Sequence, residues 1–317
     1  TPLYSSAASD VYKRQVEGAL GCLFLLSTGD DAQLPKVKSY LAGAKVDGSN
    51  WSNGYNGIVC AEYFLRTGDA SVQPLLQGFC DAAKRGQKFN SGWNHGNPIL
   101  SPGYVSGGLL NAAGNQVLTS LLLASECGSA VDQETLIGGL RFLYRFTGHG
   151  TVPYGDHRSE GGLGSNGKDG MVAAAMQVAC GAQGDVSIYQ KARDYLSMSM
   201  LQSYPVLVQG HGDEGRGDAI WRSIAGCYLL ESQPKLYHDS MNRLRWWYDL
   251  CRRPSGAFGL TLTPAVFNTT GSGAAVALAY TAPRKALRIT GAPRSPHAKD
   301  FTLPARLWGN KADLVFH

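Results

Sequence analysis

Runs of small apolar residues recur along this chain and constrain its fold more than any other feature. Each run is anchored by a glycine, and the anchors are Gly57, Gly114, Gly170, Gly217 and Gly273. Successive anchors are 47 to 57 residues apart, a spacing that fits one helical hairpin per repeat. A helix that is apolar on all its faces is typically buried. The repeats therefore predict a series of hairpins, each containing one buried helix.

A second kind of segment alternates with these runs. It carries apolar residues at three- and four-residue spacing with polar residues between them, which is the pattern of a half-exposed helix. These segments are 72–84, 133–146, 186–200 and 235–251. Buried helices inside and amphipathic helices outside make a ring. We therefore predict an all-α fold, an α/α toroid of about six helical hairpins, with residues 16–282 as one domain.

The two ends of the sequence lie outside this pattern. Residues 1–15 (TPLYSSAASDVYKRQ) resemble an adaptor-derived leader from translated shotgun assemblies, so we set them aside from the fold. Residues 283–317 contain prolines at 293, 296 and 304 and predict an irregular or β-like linker that leads into a truncated C-terminal module. We expect a fragment whose parent protein has a further C-terminal domain.

The alternation of glycine-rich loops and small-residue helices resembles the α/α-toroid superfamily. That superfamily includes terpenoid cyclases, protein prenyltransferases, lanthipeptide cyclase-like proteins and many carbohydrate-active enzymes. Trp51, Tyr55, the Gly92-Trp93 pair and the GGLG stretch at 161–164 stand where such proteins place aromatic and glycine turns. More narrowly, the chain is similar to an uncharacterised bacterial family of these toroids. This resemblance implies a fold and no particular reaction.

The residues of the named activities are missing. Prenyltransferases need a zinc-binding Asp, Cys and His, and no cysteine here lies in a glycine-rich loop. Triterpene cyclases need an Asp-rich acid motif and repeated Gln…Trp turns, and neither is present. The stretch Asn94-His95-Gly96 is similar to the His-Gly turn of lanthipeptide cyclases, but the cysteine ligands of that family have no counterpart.

Charge and hydropathy exclude two classes of partner. The net charge is +5 and no Lys/Arg run is long enough to follow a phosphate backbone, so nucleic acid is not an expected partner. No stretch approaches the ~18 apolar residues that a membrane span needs. The seven cysteines form no CxxC pair and fall in helical stretches, which predicts free core thiols and indicates a reducing compartment. An extracytoplasmic parent with its own signal peptide is the alternative, so the localisation stays unknown.

The candidate site follows from the direction of the buried helices. If they run in one direction, the loops before them gather at one mouth of the ring, beside the positive ends of the helix dipoles. The clearest case is 209–231, where a charged, glycine-rich loop leads into a helix expected at 219–230. We expect loop 156–160 and loop 211–218 to form adjacent or opposite sides of one site.

These loops supply the candidate functional residues. The catalytic candidates are Asp156, His157, Glu160, His211, Asp213 and Glu214. The substrate-binding candidates are Trp93, His95, Tyr154, Arg158, Lys168 and Arg216, and His149 is a further loop histidine. Each also has a structural interpretation. A histidine or Asp169 can act as a backbone cap, and Trp93, Tyr154 and Trp221 can be core residues.

Three functions fit such a mouth. The first is a hydrolase or lyase that cleaves a glycan, with Glu160, Asp213 or Glu214 as the acid, a second carboxylate or a histidine as the base, and Trp93 and Tyr154 as sugar platforms. An arginine that neutralises charge beside a Tyr or His base would favour elimination.

The second function is a metal-dependent enzyme. A divalent ion would be held by His95, His157, His211 and Asp213, which are suitable ligand types from separate loops. Without such an ion, no cofactor is expected. The third function is a non-catalytic scaffold that binds a peptide or a glycan in a larger protein. The expected partner is therefore a small molecule or a glycan in the first case and a peptide or glycan in the last.

Overall fold

The computed structural model describes residues 3–96, 109–158, 164–165, 168–205, 212–252, 254 and 271–309. For residues 3–14, 164–165, 204–205, 212–219, 251, 271–272 and 275 it describes the backbone alone. In this part of the chain there are eleven α-helices, several short 3-10 turns and one pair of two-residue strands. The predicted all-α fold is confirmed.

The helices form two layers. The inner helices are α1 (Leu3–Ser27), α3 (Asn50–Thr67), α5 (Asn111–Glu126), α7 (Lys168–Ala179), α9 (Gly212–Cys227) and α11 (Gly271–Thr281). The outer helices are α2 (Leu34–Gly43), α4 (Gln73–Gly86), α6 (Gln133–Tyr144), α8 (Ser187–Gln202) and α10 (Pro234–Cys251). Each inner helix packs against the next one and α11 packs against α1, so the inner layer closes into a ring. Each outer helix packs on the inner helix that precedes it.

The glycine anchors lie in α3, α5, α7, α9 and α11, one in each. Two of them show why a side chain is not tolerated. A Cβ at Gly57 would lie 1.9 Å from Ser120 Oγ on α5, and a Cβ at Gly170 would lie 2.5 Å from the carbonyl oxygen of Trp221 on α9. Such distances are far shorter than a van der Waals contact. The repeated glycines therefore allow neighbouring inner helices to approach closely.

The outer helices match the amphipathic segments, with differences only at their ends. Pro35 and Pro74 lie in the first turns of α2 and α4, where the missing N–H is tolerated. Gly68, which has a φ of +70°, caps the C-terminus of α3, and the following Asp69 accepts a hydrogen bond from the backbone N–H of Ser71. Local turn chemistry thus sets the connection between α3 and α4.

The start of α9 differs from the expectation. The helix begins at Gly212 rather than near residue 219, so residues 213–218 form its first turns and are not a loop. The backbone of Asp213 and Glu214 lies in this first turn. The glycines at 215 and 217 conceal this start in the sequence because glycine is a poor helix former.

The first residues also differ from the expectation. Helix α1 begins at Leu3 and is continuous to Ser27, so residues 3–15 belong to the fold. Gln15 is held by both neighbouring helices. Its carbonyl oxygen accepts a hydrogen bond from Tyr40 Oη at 2.9 Å, and its Oε1 accepts one from Asn56 Nδ2 at 3.4 Å.

Residues 282–309, here called the C-terminal strap, cross the end of the ring where the inner helices finish. The strap is irregular, as expected, but it is not a linker because it is bonded to helices around the ring. Its Lys299 N–H donates to the carbonyl oxygen of Glu126 at 2.7 Å, and Ser295 Oγ donates to that of Leu65. Tyr189 Oη on α8 donates to the carbonyl oxygen of Pro304 at 2.7 Å.

A buried charge cluster fixes the strap to the ring. Arg288 Nε donates to both carboxylate oxygens of Glu126, at 2.9 and 3.1 Å. The backbone N–H groups of Arg288 and Ile289 donate to the carboxylate of Glu62, each at 2.9 Å. All three charged side chains are buried. Burial raises the pKa of Glu62 from 4.5 to about 7, against the lowering effect of these hydrogen bonds.

The cysteines whose side chains are described are free thiols, as predicted. Cys22, Cys60, Cys80, Cys127 and Cys227 are buried, and Cys180 is half-buried. Burial raises the pKa of the Cys60 thiol to about 12, so it is a poor nucleophile. Within the described ranges, no helix combines the length and the apolar character that crossing a membrane requires.

Candidate functional site

The loops before α3, α5 and α7 meet at one end of the ring, as the sequence predicts. The backbone N–H of Asn50, at the start of α3, donates to the carbonyl oxygen of His95 at 3.0 Å. The N–H of Asn111, at the start of α5, donates to that of Tyr154 at 2.8 Å. Asp169 at the start of α7 accepts from the N–H of Val152 at 2.7 Å. This end of the ring, opposite the strap, is its mouth.

The segments that lead to α7 and α9 also run side by side. Strand β1 (Gly164–Ser165) pairs in parallel with strand β2 (Tyr204–Pro205). Glu160 and His211 lie outside the described residues, and so do the side chains of Asp213, Glu214 and Arg216. Their predicted roles, and their part in one shared site, stay predictions.

A cleft of about 500 Å³ opens at the edge of the mouth. The six residues that line it, here called the rim cleft, come from the end of α6 and from the loop before α7. They are Arg145, Phe146, His149, Asp156, His157 and Arg158. The cleft therefore brings Asp156, His157 and Arg158 together with the loop histidine His149 and with Arg145 and Phe146 at the end of α6.

Arg145 is held in place by aromatic rings. Its guanidinium carbon lies 4.3 Å from the ring centroid of Phe142 and 4.8 Å from that of Phe146. Both distances are within the range of a cation–π interaction, which stabilises the contact by ~0.5–1 kcal/mol at an exposed site. These contacts fix the guanidinium of Arg145 at the cleft, although the residue is exposed to solvent.

His157 and Asp156 have defined hydrogen bonds. His157 Nδ1 lies 2.9 Å from the carbonyl oxygen of Arg158. Because a carbonyl oxygen only accepts, Nδ1 carries the hydrogen, and in the neutral ring Nε2 holds the basic lone pair. Asp156 Oδ2 accepts from Asn90 Nδ2 at 2.9 Å, which joins the loop before α5 to the loop before α7.

Two buried polar residues hold the loop that carries Asp156, His157 and Arg158. Asn111 Nδ2 donates to the carbonyl oxygens of Pro153 and Gly155, at 2.8 and 3.0 Å. Asp169 accepts from Val152 N–H and from Ser199 Oγ, the latter at 2.8 Å. Burial raises the pKa of Asp169 despite these bonds. The structural interpretation of Asp169 is the better one, because both of its bonds tie the loop to α7 and α8.

The prediction of Trp93 as a sugar platform is wrong. Trp93 is 1% exposed and its Nε1 donates to the carbonyl oxygen of Ala83 at 2.8 Å. The ring fills the space beside Gly139 on α6, where a Cβ would lie 2.6 Å from it. Trp93 is therefore a core residue, and the glycine-tryptophan pair in the sequence marks helix packing.

Lys168, Tyr154 and His95 do not line the rim cleft. Lys168 is fully buried, and its Nζ lies 4.8 Å above the ring centroid of the half-buried Tyr154. It contacts Tyr154 from inside the fold, so Lys168 is not placed to contact a substrate directly. His95 is exposed and its Nδ1 accepts a hydrogen bond from Trp51 Nε1 at 2.9 Å.

Four buried side chains, here called the axial cluster, meet inside the ring: Tyr55, Gln116, Met171 and Trp221, from α3, α5, α7 and α9. Gln116 Nε2 donates to Tyr55 Oη at 3.1 Å and lies 3.4 Å from Met171 Sδ. Trp221 Nε1 donates to Tyr55 Oη at 3.4 Å. Trp221 is thus a core residue.

Sequence reasoning missed Arg145 and Phe146 in the rim cleft and Gln116 in the axial cluster. In the sequence, Arg145 and Phe146 stand at the end of the predicted outer helix 133–146. No neighbouring motif marks them as site residues. For Gln116 a signal existed, because an amide within the apolar run that follows Gly114 is out of pattern.

A family model for a domain of unknown function, DUF6288, matches residues 3–291. The chain belongs to the DUF6288 family. No curated protein and no solved structure gave a match. The match begins at the start of α1 and extends into the strap, so the DUF6288 domain is longer at both ends than the predicted 16–282. It includes the rim cleft, the axial cluster and the Glu62–Arg288 contact.

The described part of the DUF6288 domain contains no cluster of metal-ligand residues that would support the metal-dependent enzyme. Among the side chains that the structure describes there, no three His, Cys, Asp or Glu residues lie together as metal ligands would. His95 and His157 are described, but the predicted ligands His211 and Asp213 are among the undescribed side chains. A metal site in this family therefore stays a prediction that depends on those two.

Proposed function

We propose that this chain is an acid/base enzyme that cleaves a glycan, and that it acts as a lyase on a sugar bearing a carboxylate. The observation that carries the proposal is the composition of the rim cleft, which is lined by two arginines, two histidines and one aspartate. Arginine binds carboxylates through paired hydrogen bonds of matching geometry. Histidine has a pKa suited to proton transfer near neutral pH.

A β-elimination of such a sugar balances without water or a cofactor. A base takes the proton from the carbon that bears the carboxylate, and the remaining electron pair forms a carbon–carbon double bond as the glycosidic C–O bond breaks. The leaving oxygen takes a proton from an acid. An arginine paired with the carboxylate stabilises the negative charge that develops there in the transition state.

The rim cleft contains a group for each of these roles. Arg145 and Arg158 bind the carboxylate, and Nε2 of His157 takes the proton. His149 or Asp156 supplies the proton to the leaving oxygen. The hydrogen bond from His157 Nδ1 to the backbone supports this assignment, because it fixes the tautomer in which Nε2 is the base.

Hydrolysis would need a second carboxyl group beside Asp156. Glu160, Asp213 and Glu214 stay candidates for it. The products distinguish the two reactions, because elimination leaves an unsaturated sugar that absorbs ultraviolet light and hydrolysis leaves none. Binding without turnover would favour the non-catalytic scaffold, and activity that is lost on chelation and restored by a divalent ion would favour the metal-dependent enzyme.

The experiment compares polyuronates with the same polymers after chemical reduction of their carboxylates to alcohols. We expect an unsaturated product from a polyuronate and none from its reduced form. His157→Asn should lower kcat by ~10²–10⁴, the usual contribution of one positioned proton transfer. Arg245→Ala is the matched control, because Arg245 lies on α10 and its side chain is 78% exposed.

Two results would contradict the proposal. One is turnover of the carboxyl-reduced polymer at the same rate, which would remove the role of the arginines. The other is full activity in both His157→Asn and Arg158→Ala, which would place the chemistry outside the rim cleft.

A further inference from the structure

A turn between α4 and α5 presents an aromatic side chain to solvent at the mouth. Phe89 is 78% exposed, more than any other large hydrophobic residue that the structure describes. Leaving an apolar ring in water forgoes the ~25 cal/mol per Å² that its burial would contribute. Single exposed apolar residues are common at protein surfaces, so the meaning of Phe89 depends on how it is held and on what lies beside it.

The turn that carries Phe89 is fixed at both ends. Lys88 N–H donates to the carbonyl oxygen of Gly92, and Ser91 N–H donates to that of Lys88, both at 2.8 Å. Gln87 Nε2 donates to the carbonyl oxygens of Ser91 and Thr135, at 3.0 and 2.8 Å, which ties the turn to α6. The aromatic ring therefore projects from a rigid support.

The backbone of this turn is strained. Ser91 has a φ of +68°, a conformation that is unfavourable for a residue other than glycine. Of the described residues, only Ser91 and Lys285 are non-glycine positions with positive φ. Strain of this kind persists where the surrounding structure determines it, and it is frequent at ligand sites.

The turn is bonded directly to the rim cleft. Asn90, the next residue after Phe89, donates from Nδ2 to Asp156 Oδ2 at 2.9 Å. Asp156 lines the cleft. Phe89 is thus the residue before one whose side chain bonds a carboxylate of the candidate site, and it belongs to the turn that contacts the cleft.

We propose that Phe89 is the sugar-stacking platform of the rim cleft. It binds a sugar ring next to the one that carries the scissile bond, while Arg145 and Arg158 bind the carboxylate. A sugar presents an apolar face of C–H groups, which packs against an aromatic ring, and binding sites combine such apolar contacts with a few charged groups. Phe89 takes the role that sequence reasoning gave to Trp93. This inference rests on the proposed function.

The test measures binding of uronate oligosaccharides of increasing length by calorimetry. His157→Asn serves as the background so that the ligand is not consumed. In that background we expect Phe89→Ala to weaken binding of the longer oligosaccharides by about tenfold, which corresponds to ~1.4 kcal/mol, the scale of one aromatic contact. The shortest oligosaccharides, which do not reach the platform, should bind equally with or without Phe89.

Two further variants separate stacking from other effects. Phe89→Trp keeps an aromatic face and should retain the wild-type affinity. Trp246→Ala removes a side chain of α10 that is 58% exposed, and it should leave the affinity unchanged. With otherwise wild-type protein, Phe89→Ala should raise KM for long oligosaccharides and leave kcat at saturation close to normal, because Phe89 does not touch the reacting atoms.

The outcomes distinguish this inference from the function on which it rests. If the His157→Asn protein binds uronate oligosaccharides and Phe89→Ala changes no affinity at any length, the platform is refuted and the proposed function stands. If the protein with Phe89 intact binds no uronate oligosaccharide, the proposed function fails and the platform fails with it.

Discussion

Asn111 and Asn115 lie one turn apart on α5, and both are buried. Their surroundings differ. Asn111 Nδ2 bonds to two carbonyl oxygens of the loop that leads to the rim cleft, whereas both side-chain polar atoms of Asn115 have no hydrogen-bond partner among the described residues. A buried carbonyl that loses its hydrogen-bond donor still bears the free-energy cost of having left water. Replacing a buried amide that has no partner breaks no hydrogen bond, so it adds no such cost.

The same substitution should therefore have different effects at the two positions. Leucine is close to asparagine in shape, so Asn111→Leu should lower the free energy of unfolding by ~1–3 kcal/mol, because it leaves the carbonyls of Pro153 and Gly155 unpaired. Asn115→Leu should be neutral or stabilising. Denaturant unfolding measures both. Equal losses would show that these amides act only through their packing.

The sequence could not have identified Asn111 as the residue that holds the loop. Its partners lie 42 and 44 residues later in the chain, and they are backbone oxygens, which carry no signature of residue type. Asp156 and His157 were predictable, since charged residues in a glycine-rich loop before a buried helix point to the mouth. Trp93 was misjudged because an aromatic residue beside glycine fits a turn and a tight helix contact equally well.

The C-terminal strap is held by a carboxylate whose protonation changes near neutral pH. The pKa of Glu62 is about 7 in the folded chain and 4.5 for an ordinary glutamate, so between these values the folded state binds the proton more tightly. The free energy of unfolding should therefore fall as pH rises from about 4.5 to about 7, by ~3 kcal/mol from this group, at ~1.4 kcal/mol for each pKa unit.

Glu62→Gln should remove most of this dependence. The variant loses one acceptor oxygen, so it should be less stable than the wild type at pH 5 by ~1–2 kcal/mol. Its free energy of unfolding should then change little up to pH 7, apart from the contribution of Asp169, whose raised pKa acts in the same direction. Glu134→Gln, at an exposed position on α6, is the control. An undiminished slope in Glu62→Gln would contradict the assignment.

Helices were more predictable than irregular segments. The outer helices α4, α6, α8 and α10 follow from apolar spacing, because one face of each packs on neighbouring helices. The strap has no such period. Its position depends on contacts such as the one from Arg288 to Glu126, which are 162 residues apart. A proline-bearing segment with only long-range partners reads as a linker in the sequence.

The ring is closed by its first and last inner helices. Ser27 Oγ at the end of α1 lies 2.5 Å from Thr281 Oγ1 at the end of α11, and the strap continues from that point across the other inner helices. A chain that stops at Thr281 would lose Arg288, the buried ion-pair partner of Glu126, together with the rest of the strap. Removing one member of a buried ion pair costs ~3–5 kcal/mol.

We therefore expect truncation after Thr281 to lower Tm sharply or to prevent folding, with helix content and melting followed by circular dichroism. Arg288→Met with Glu126→Gln, in the 317-residue chain, should be less harmful than Arg288→Met alone, because it leaves no unpaired charge. An unchanged Tm after truncation would show that residues 282–309 are a linker after all.

The mouth was predictable at the scale of the whole molecule. Alternating inner and outer helices reverse direction at each step, so the inner helices must run in parallel and the loops before them must share one end. This argument needs only the repeat. The rim cleft needed the structure, because two of its six lining residues, Arg145 and Phe146, come from the end of α6, an outer helix that the repeat assigns to the scaffold.

The central claim is that the rim cleft binds a carboxylated glycan for acid/base cleavage. A crystal structure of the His157→Asn variant with a uronate oligosaccharide tests it most directly. The account predicts a sugar carboxylate paired with Arg145 and Arg158, and a neighbouring sugar ring against Phe89. An oligosaccharide bound elsewhere, such as at the axial cluster, or no bound oligosaccharide at saturating concentration, would contradict it.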